Sequence, residues 1–172
     1  MKPLPKEFSQ NVVALRQSFD ESFAAPPRPH GAARQALLAV RAGNLQLAVR
    51  LSELAGIHSC RKLVPLPNST AGLLGISGLR GQLLAVYDLA AMLGSQSARE
   101  DLRWLLLAGA DPHTALAIGA LDEYIEVADT ELYPAHEAEM RNGCVRALVE
   151  VRGMTRPVVS IPWIVDATRQ FT

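Results

Sequence analysis

Two different apolar periods divide this chain. Phe8, Val12, Leu15, Phe19 and Phe23 recur at steps of four, three, four and four, which places them in one stripe along a helix. Lys6, Glu7, Gln10, Arg16, Gln17, Asp20 and Glu21 fall on the other faces. Pro3 and Pro5 precede this predicted helix. Ala25-Pro26-Pro27-Arg28-Pro29-His30-Gly31 ends it, because proline cannot continue an α-helix, and reads as a short stiff linker. Residues 1–31 are therefore expected to form an extension and residues 32–172 a separate domain. A stripe carrying three phenylalanines needs cover, and two outcomes stay open: the helix packs back on the domain, or it docks a partner.

From Ala36 onward the pattern is that of short β-strands. Ala36 to Arg41 and Leu45 to Arg50 flank Ala42-Gly43-Asn44, a hairpin signal. Leu51 to Gly56 has room only for a turn or helical corner, and His58 to Leu66 reads as extended. Gly72 to Leu79 and Gln82 to Tyr87 pair around Arg80-Gly81, and Asp88 to Leu93 makes a turn or two of helix. Leu102 to Ala108 and Ala115 to Ala120 form a further hairpin, and Tyr124 to Val127 is extended. Leu132 to Asn142 reads as polar and turn-rich. Cys144 to Arg152 and Arg156 to Ile161 make the last pair, closed by a stretch from Pro162. Short strands at this spacing predict a mainly β fold of small closed barrels.

An internal echo predicts two lobes. Leu79-Arg80-Gly81-x-x-x-Ala85-Val86-x-x-Leu89 aligns with Val151-Arg152-Gly153-x-x-x-Pro157-Val158-x-x-Ile161 at a constant offset of 72 residues. Each copy places an arginine and a glycine at a hairpin turn, then an apolar strand, then a short helical ending.

Composition narrows the function by exclusion. Seventeen basic and seventeen acidic residues cancel, which gives no reason to expect nucleic acid or an anionic membrane as partner. The longest apolar runs, such as Trp104 to Ala108, are too short to cross a bilayer, so direct membrane insertion is not expected. No secretory signal pattern is found at the N-terminus. Cys60 and Cys144 are far apart and outside any Cys-x-x-Cys pattern, which suits a reducing, cytoplasmic compartment. His30, His58, His113 and His136 are scattered with no ligand-like spacing, so no metal site and no cofactor are expected. Gly72, Gly75, Gly78 and Gly81 lie in strand-like sequence and open no helix, which excludes a dinucleotide fingerprint. No serine stands in a Gly-x-Ser-x-Gly elbow, and no catalytic constellation is identified.

The segment Gly75-Ile76-Ser77-Gly78-Leu79-Arg80-Gly81-Gln82-Leu83-Leu84-Ala85-Val86-Tyr87-Asp88-Leu89 resembles the signature of the CheW-like family, approximately Gly-Val-x-Asn-Leu-Arg-Gly followed after three residues by Pro-Val-x-Asp-Leu. The likeness runs from about Ala36 to Ala167. Three positions depart from it: Gly78 replaces the usual asparagine, Ala85 the usual proline, and Leu54-Ala55-Gly56-Ile57 lacks the glutamate of a frequent Val-x-Glu-Val. The resemblance implies two small five-stranded barrel lobes around a shared hydrophobic core. It also implies a non-catalytic adaptor of a two-component signalling system. One surface would hold the regulatory domain of a CheA-type histidine kinase and another the cytoplasmic tip of a chemoreceptor. The alternative is a CheW-like scaffold of a non-chemotaxis sensory pathway, docking a different partner through the N-terminal helix.

The candidate partner-binding residues are Arg80, Gly81, Gly78, Leu54, Ile57 and Ile76. Arg80 at a hairpin tip presents a fixed fork of donors suited to a carboxylate, or alternatively bridges to Asp88 or a carbonyl within its own lobe. Gly81 permits the turn and leaves room for close approach. Asp88 is placed as a helix N-cap. Leu79, Leu83 and Val86 are expected in the core.

Overall fold

A computed structural model describes residues 34–67, 72–95, 101–135 and 143–170. The predicted helix carrying Phe8, Val12, Leu15, Phe19 and Phe23 lies outside these residues. Among the described residues there are eleven strands: β1 (Arg34–Ala42), β2 (Leu45–Arg50), β3 (Leu54–Ser59), β4 (Leu73–Leu79), β5 (Gln82–Asp88), β6 (Trp104–Ala108), β7 (Thr114–Ile118), β8 (Ala120–Ala128), β9 (Leu132–Pro134), β10 (Val145–Val151) and β11 (Met154–Val159). The helices are α1 (Leu89–Met92) and α2 (Ile161–Gln170).

The strands form two sheets. Lobe 1 has the order β8-β1-β2-β11-β10-β9 and lobe 2 the order β3-β6-β7-β5-β4. The fold is mainly β and two-lobed, as expected, with a sixth strand in lobe 1. That strand is β9, inside a tract whose polar, proline-containing sequence hides its pairing of Leu132, Tyr133 and Pro134 with β10. The extended reading of His58 to Leu66 is too long. Regular pairing stops at Ser59, and only Val64 returns to bridge Ile76.

Three apolar clusters explain why so many strands are buried on both faces. Leu37, Ala39, Ala48, Val149 and Val158 fill lobe 1, whereas Leu74, Leu84, Val86, Leu105 and Ala115 fill lobe 2. The alternate residues of the same strands point into a central core between the lobes. Leu38, Val40, Leu47 and Val49 meet Leu106, Leu116 and Ile118 there. Because strand side chains alternate, β1 carries Leu37 and Ala39 into its own lobe and Leu38 and Val40 into the shared core, and reads as a continuous apolar run. Ile161, Ile164 and Val165 of α2 close this core, with Pro162 in the first turn where a missing N–H is harmless.

The 72-residue echo is a repeat in three dimensions. In lobe 2, Leu73 pairs with Tyr87 and, after a bulge, Gly75 with Val86; in lobe 1, Val145 pairs with Val159 and, after a bulge, Ala147 with Val158. Each second strand then pairs in parallel with a strand from another hairpin, β5 with β7 and β11 with β2. Each ends in a capped helix: Asp88 Oδ1 accepts the Ala90 N–H at 2.9 Å and Ser160 Oγ the Trp163 N–H at 3.5 Å. Glu53 fastens the crossover between lobes. Its carboxylate accepts the Ile161 N–H at 2.7 Å, and its carbonyl accepts the Gly109 N–H at 2.9 Å.

Candidate partner-binding surface

The hairpin tips are where the repeats part company. Arg80 and Gly81 have φ of 50° and 82°, and Arg152 and Gly153 have 52° and 75°. Two positive φ values in a two-residue turn are the signature of type I′, whose twist suits a hairpin. Glycine adopts them at no steric cost, but an arginine at the first position does not. In lobe 1 the side chain has an evident attachment: Arg152 Nε lies 2.7 Å from Glu123 Oε2. Arg80 is exposed, and among the described residues it makes neither hydrogen bond nor ion pair. The bridge to Asp88 entertained from sequence is not made.

Around Arg80 the surface is unusually bare. A Cβ at Gly78 or Gly81 would meet nothing within 4 Å. Gly78 pairs across the hairpin with Leu83, which is 66% exposed. This corrects the expectation that Leu83 is core: Leu84 and Val86 face the lobe interior, so period-2 alternation turns Leu83 outward, unlike Val86. Leu79 does pack against the interior cluster.

The other candidates separate. Leu54 and Ile57 lie on β3, at the opposite edge of the sheet order from β4, and pack half-buried against the central core. Ile76 on β4 exchanges backbone hydrogen bonds with Val64 at 2.8 and 2.9 Å. Gly75 makes this possible: its φ is 146°, and a Cβ there would overlap the Val64 carbonyl oxygen. Beyond the bridge the chain splays, leaving a cleft of about 340 Å³ lined by His58, Ser59, Arg61, Lys62, Ser77, Gly78, Leu79 and Leu105. It carries two cationic side chains and no carboxylate. Sequence reading missed Arg61 and Lys62, since nothing local shows that their segment faces β4.

The ionisable groups of the domain are arranged for structure. Arg156, 5% exposed, points into lobe 1 and donates to Asp122 Oδ2 at 2.8 Å, while Arg41 Nε donates to Asp122 Oδ1 at 2.9 Å. Burial opposes ionisation of Asp122, but hydrogen bonds and charge from the two arginines outweigh it and hold the carboxyl below its usual range. Asp111 is also held low, first by the His113 backbone N–H and then by Thr114 and Arg169. Burial pushes the Cys60 thiol up, away from the reactive thiolate. Among the described residues, no group of three or more His, Cys, Asp or Glu side chains is placed to hold a metal, and no helix is long and apolar enough to cross a membrane.

Residues 36–168 match the family model described as a CheW-like domain. The chain belongs to the CheW-like family. A chemotaxis protein CheW of Rhizobium meliloti is 23% identical over 121 residues, which cover 68% of this chain and 78% of that protein. Protein FrzA of Myxococcus xanthus is 31% identical over 115 residues, covering 66% and 63%. The crystal structure of the scaffolding protein TtCheW from Thermoanaerobacter tengcongensis superposes with a TM-score of 0.67 at 13% identity, over 77% of this chain and 92% of that one. It shows the CheW fold. Family and fold make this chain a CheW-like adaptor of chemotaxis-type signalling.

Proposed function

We propose that the chain is a non-catalytic, cytoplasmic adaptor that couples chemoreceptors to a CheA-type histidine kinase, with the β4–β5 hairpin as a principal docking element. One surface holds the kinase regulatory domain and another the cytoplasmic tip of the receptor. The observation that carries this reading is Arg80, exposed and unpaired among the described residues on a left-handed backbone, beside the side-chain-free Gly78 and the cationic cleft of Arg61 and Lys62. A charged side chain held in a sparsely populated conformation without an internal partner suits contact with another molecule. Ile76 belongs to the same strand face as Gly78. Leu54 and Ile57 serve a partner only through their exposed halves.

Titration of the chain with a cognate kinase regulatory domain and with a receptor tip tests the reading. Binding at about tens of micromolar or tighter is expected, and silence from both partners at that level would end it. Arg80→Ala should weaken receptor binding and leave the melting temperature nearly unchanged. A second reading places the chain in a non-chemotaxis sensory pathway. On that reading the stripe Phe8, Val12, Leu15, Phe19 and Phe23 docks a different partner, and removing residues 1–31 abolishes that contact without unfolding the domain.

A further inference from the structure

The two end strands of the lobe 2 sheet, β3 and β4, do not pair with each other, and residues 60–64 form a strap across the gap. The strap is pinned along its length. The Cys60 N–H donates to the Arg103 carbonyl at 2.8 Å, the buried Ser77 hydroxyl donates to the Lys62 carbonyl at 2.8 Å, and Val64 exchanges two bonds with Ile76. Cys60 and Leu63 pack against the lobe interior, while Arg61 and Lys62 are exposed. The cleft of about 340 Å³ that these two cations line reaches Leu105, which is 2% exposed and belongs to the interior cluster. It is therefore a hollow with an apolar floor rather than a patch of surface charge.

The pinned backbone fixes where both positive charges stand, and among the described residues neither Arg61 nor Lys62 belongs to an ion pair. No carboxylate lines the cleft. Arg61 Nε donates to Ser59 Oγ at 3.1 Å, which orients the guanidinium and leaves its terminal N–H groups and the Ser59 hydroxyl hydrogen available to a ligand. A fork of N–H groups, an ammonium and a hydroxyl beside Leu79 and Leu105 suit an anion carried on a compact apolar body. Charge decides which anion. A carboxylate has a single charge, and its pair of oxygens is satisfied by the guanidinium alone. A phosphate monoester carries about −1.5 to −2 at neutral pH on three terminal oxygens, which uses the whole set of donors. We propose that this cleft binds the phosphate monoester of a small molecule, with Arg61 and Lys62 on the phosphoryl oxygens and the organic body against Leu79 and Leu105. The site does not depend on which receptor or kinase the adaptor serves.

Heteronuclear NMR on the isotope-labelled full chain tests this, with phenyl phosphate as the probe at constant ionic strength. The amide signals of Ser59, Arg61, Lys62 and Gly78 should shift along a saturable curve with a Kd of about 1 mM or tighter. Inorganic phosphate should move the same signals about tenfold more weakly, because it leaves the apolar floor uncovered. Benzoate should also bind about tenfold more weakly, because it brings a single charge. Arg61→Gln and Lys62→Gln should each weaken phenyl phosphate binding about tenfold. Arg146→Gln, which removes an exposed cation of lobe 1, should change nothing. Spectra that match the wild type away from the cleft show that each variant is folded. The proposal is overturned if no saturable shift develops by about 10 mM phenyl phosphate, if benzoate binds as well, or if the Arg61→Gln, Lys62→Gln double variant binds like the wild type. A short phosphotyrosine peptide that binds more tightly than phenyl phosphate overturns it too, since the phosphoryl group then arrives on a protein rather than on a small molecule.

Discussion

The β4–β5 and β10–β11 hairpins share a bulge, a left-handed Arg-Gly turn, a parallel neighbour and a capped helix, yet they put these features to different uses. The lobe 1 hairpin is turned inward on itself. Arg152 is tied to Glu123, and Arg156 is buried against Asp122. The lobe 2 hairpin is tied down by its backbone instead. Gly75 admits the Val64 segment, Leu84 stands where lobe 1 has Arg156, and Arg80 is left over. One backbone plan thus supports a self-contained lobe and one with an unsatisfied surface. The difference lies in a few side chains.

The contrast breaks most readily at the buried charge. Asp122→Ala leaves Arg156 buried beside no carboxylate and should destabilise the fold by about 3 kcal/mol or more, measured by urea unfolding. Arg156→Leu imports the lobe 2 solution and leaves Asp122 paired with Arg41, so its loss should be clearly smaller. Equal losses would mean that the charge pair is not what distinguishes the lobes. Gly75→Ala should cost about 3 kcal/mol, because the new methyl meets Val64 at a positive φ. Ala147→Gly at the same bulge of lobe 1 should cost less, about 1–2 kcal/mol, through chain entropy and the loss of one buried methyl.

Acid titration sharpens the same point. Asp122 has a folded-state pKa below its unfolded value, so its contribution is complete above about pH 4 and disappears as the pH falls through the folded value. Asp122→Asn should therefore lose stability at neutral pH and show a flatter acid limb than the wild type. The smallest effect concerns the turns. Arg80→Asn relieves a left-handed arginine that has no partner among the described residues and should raise stability by up to about 1 kcal/mol. Arg152→Asn gains the same relief and gives up the exposed Glu123 pair, worth about 0.2–1 kcal/mol, so it should come out near neutral. If both variants behave alike, the two tips are equivalent after all.

Much of this was legible in the chain, for identifiable reasons. Strand period, Gly-rich turns and the 72-residue echo depend on local chemistry and on spacing, and these gave the two lobes, the hairpins and the Asp88 cap. Leu83 is apolar and so reads as core, but its parity relative to Leu84 and Val86 turns it outward. β9 is hard to read because three residues in a polar tract carry almost no periodic signal. The candidate site was half legible. Arg80, Gly81 and Gly78 follow from the motif, whereas the cleft with Arg61 and Lys62 depends on a return of chain that no local pattern records.

By itself, then, the sequence determined the class, the repeat and the turn that presents Arg80, since each rests on interactions between near neighbours in the chain. Only the tertiary structure decided which arginine finds a partner. Glu123 on β8 reaches Arg152, and among the described residues nothing reaches Arg80, where β4 ends the lobe 2 sheet beside an open cleft. Ion pairs join residues far apart in sequence, and their geometry exists only once the sheets have assembled.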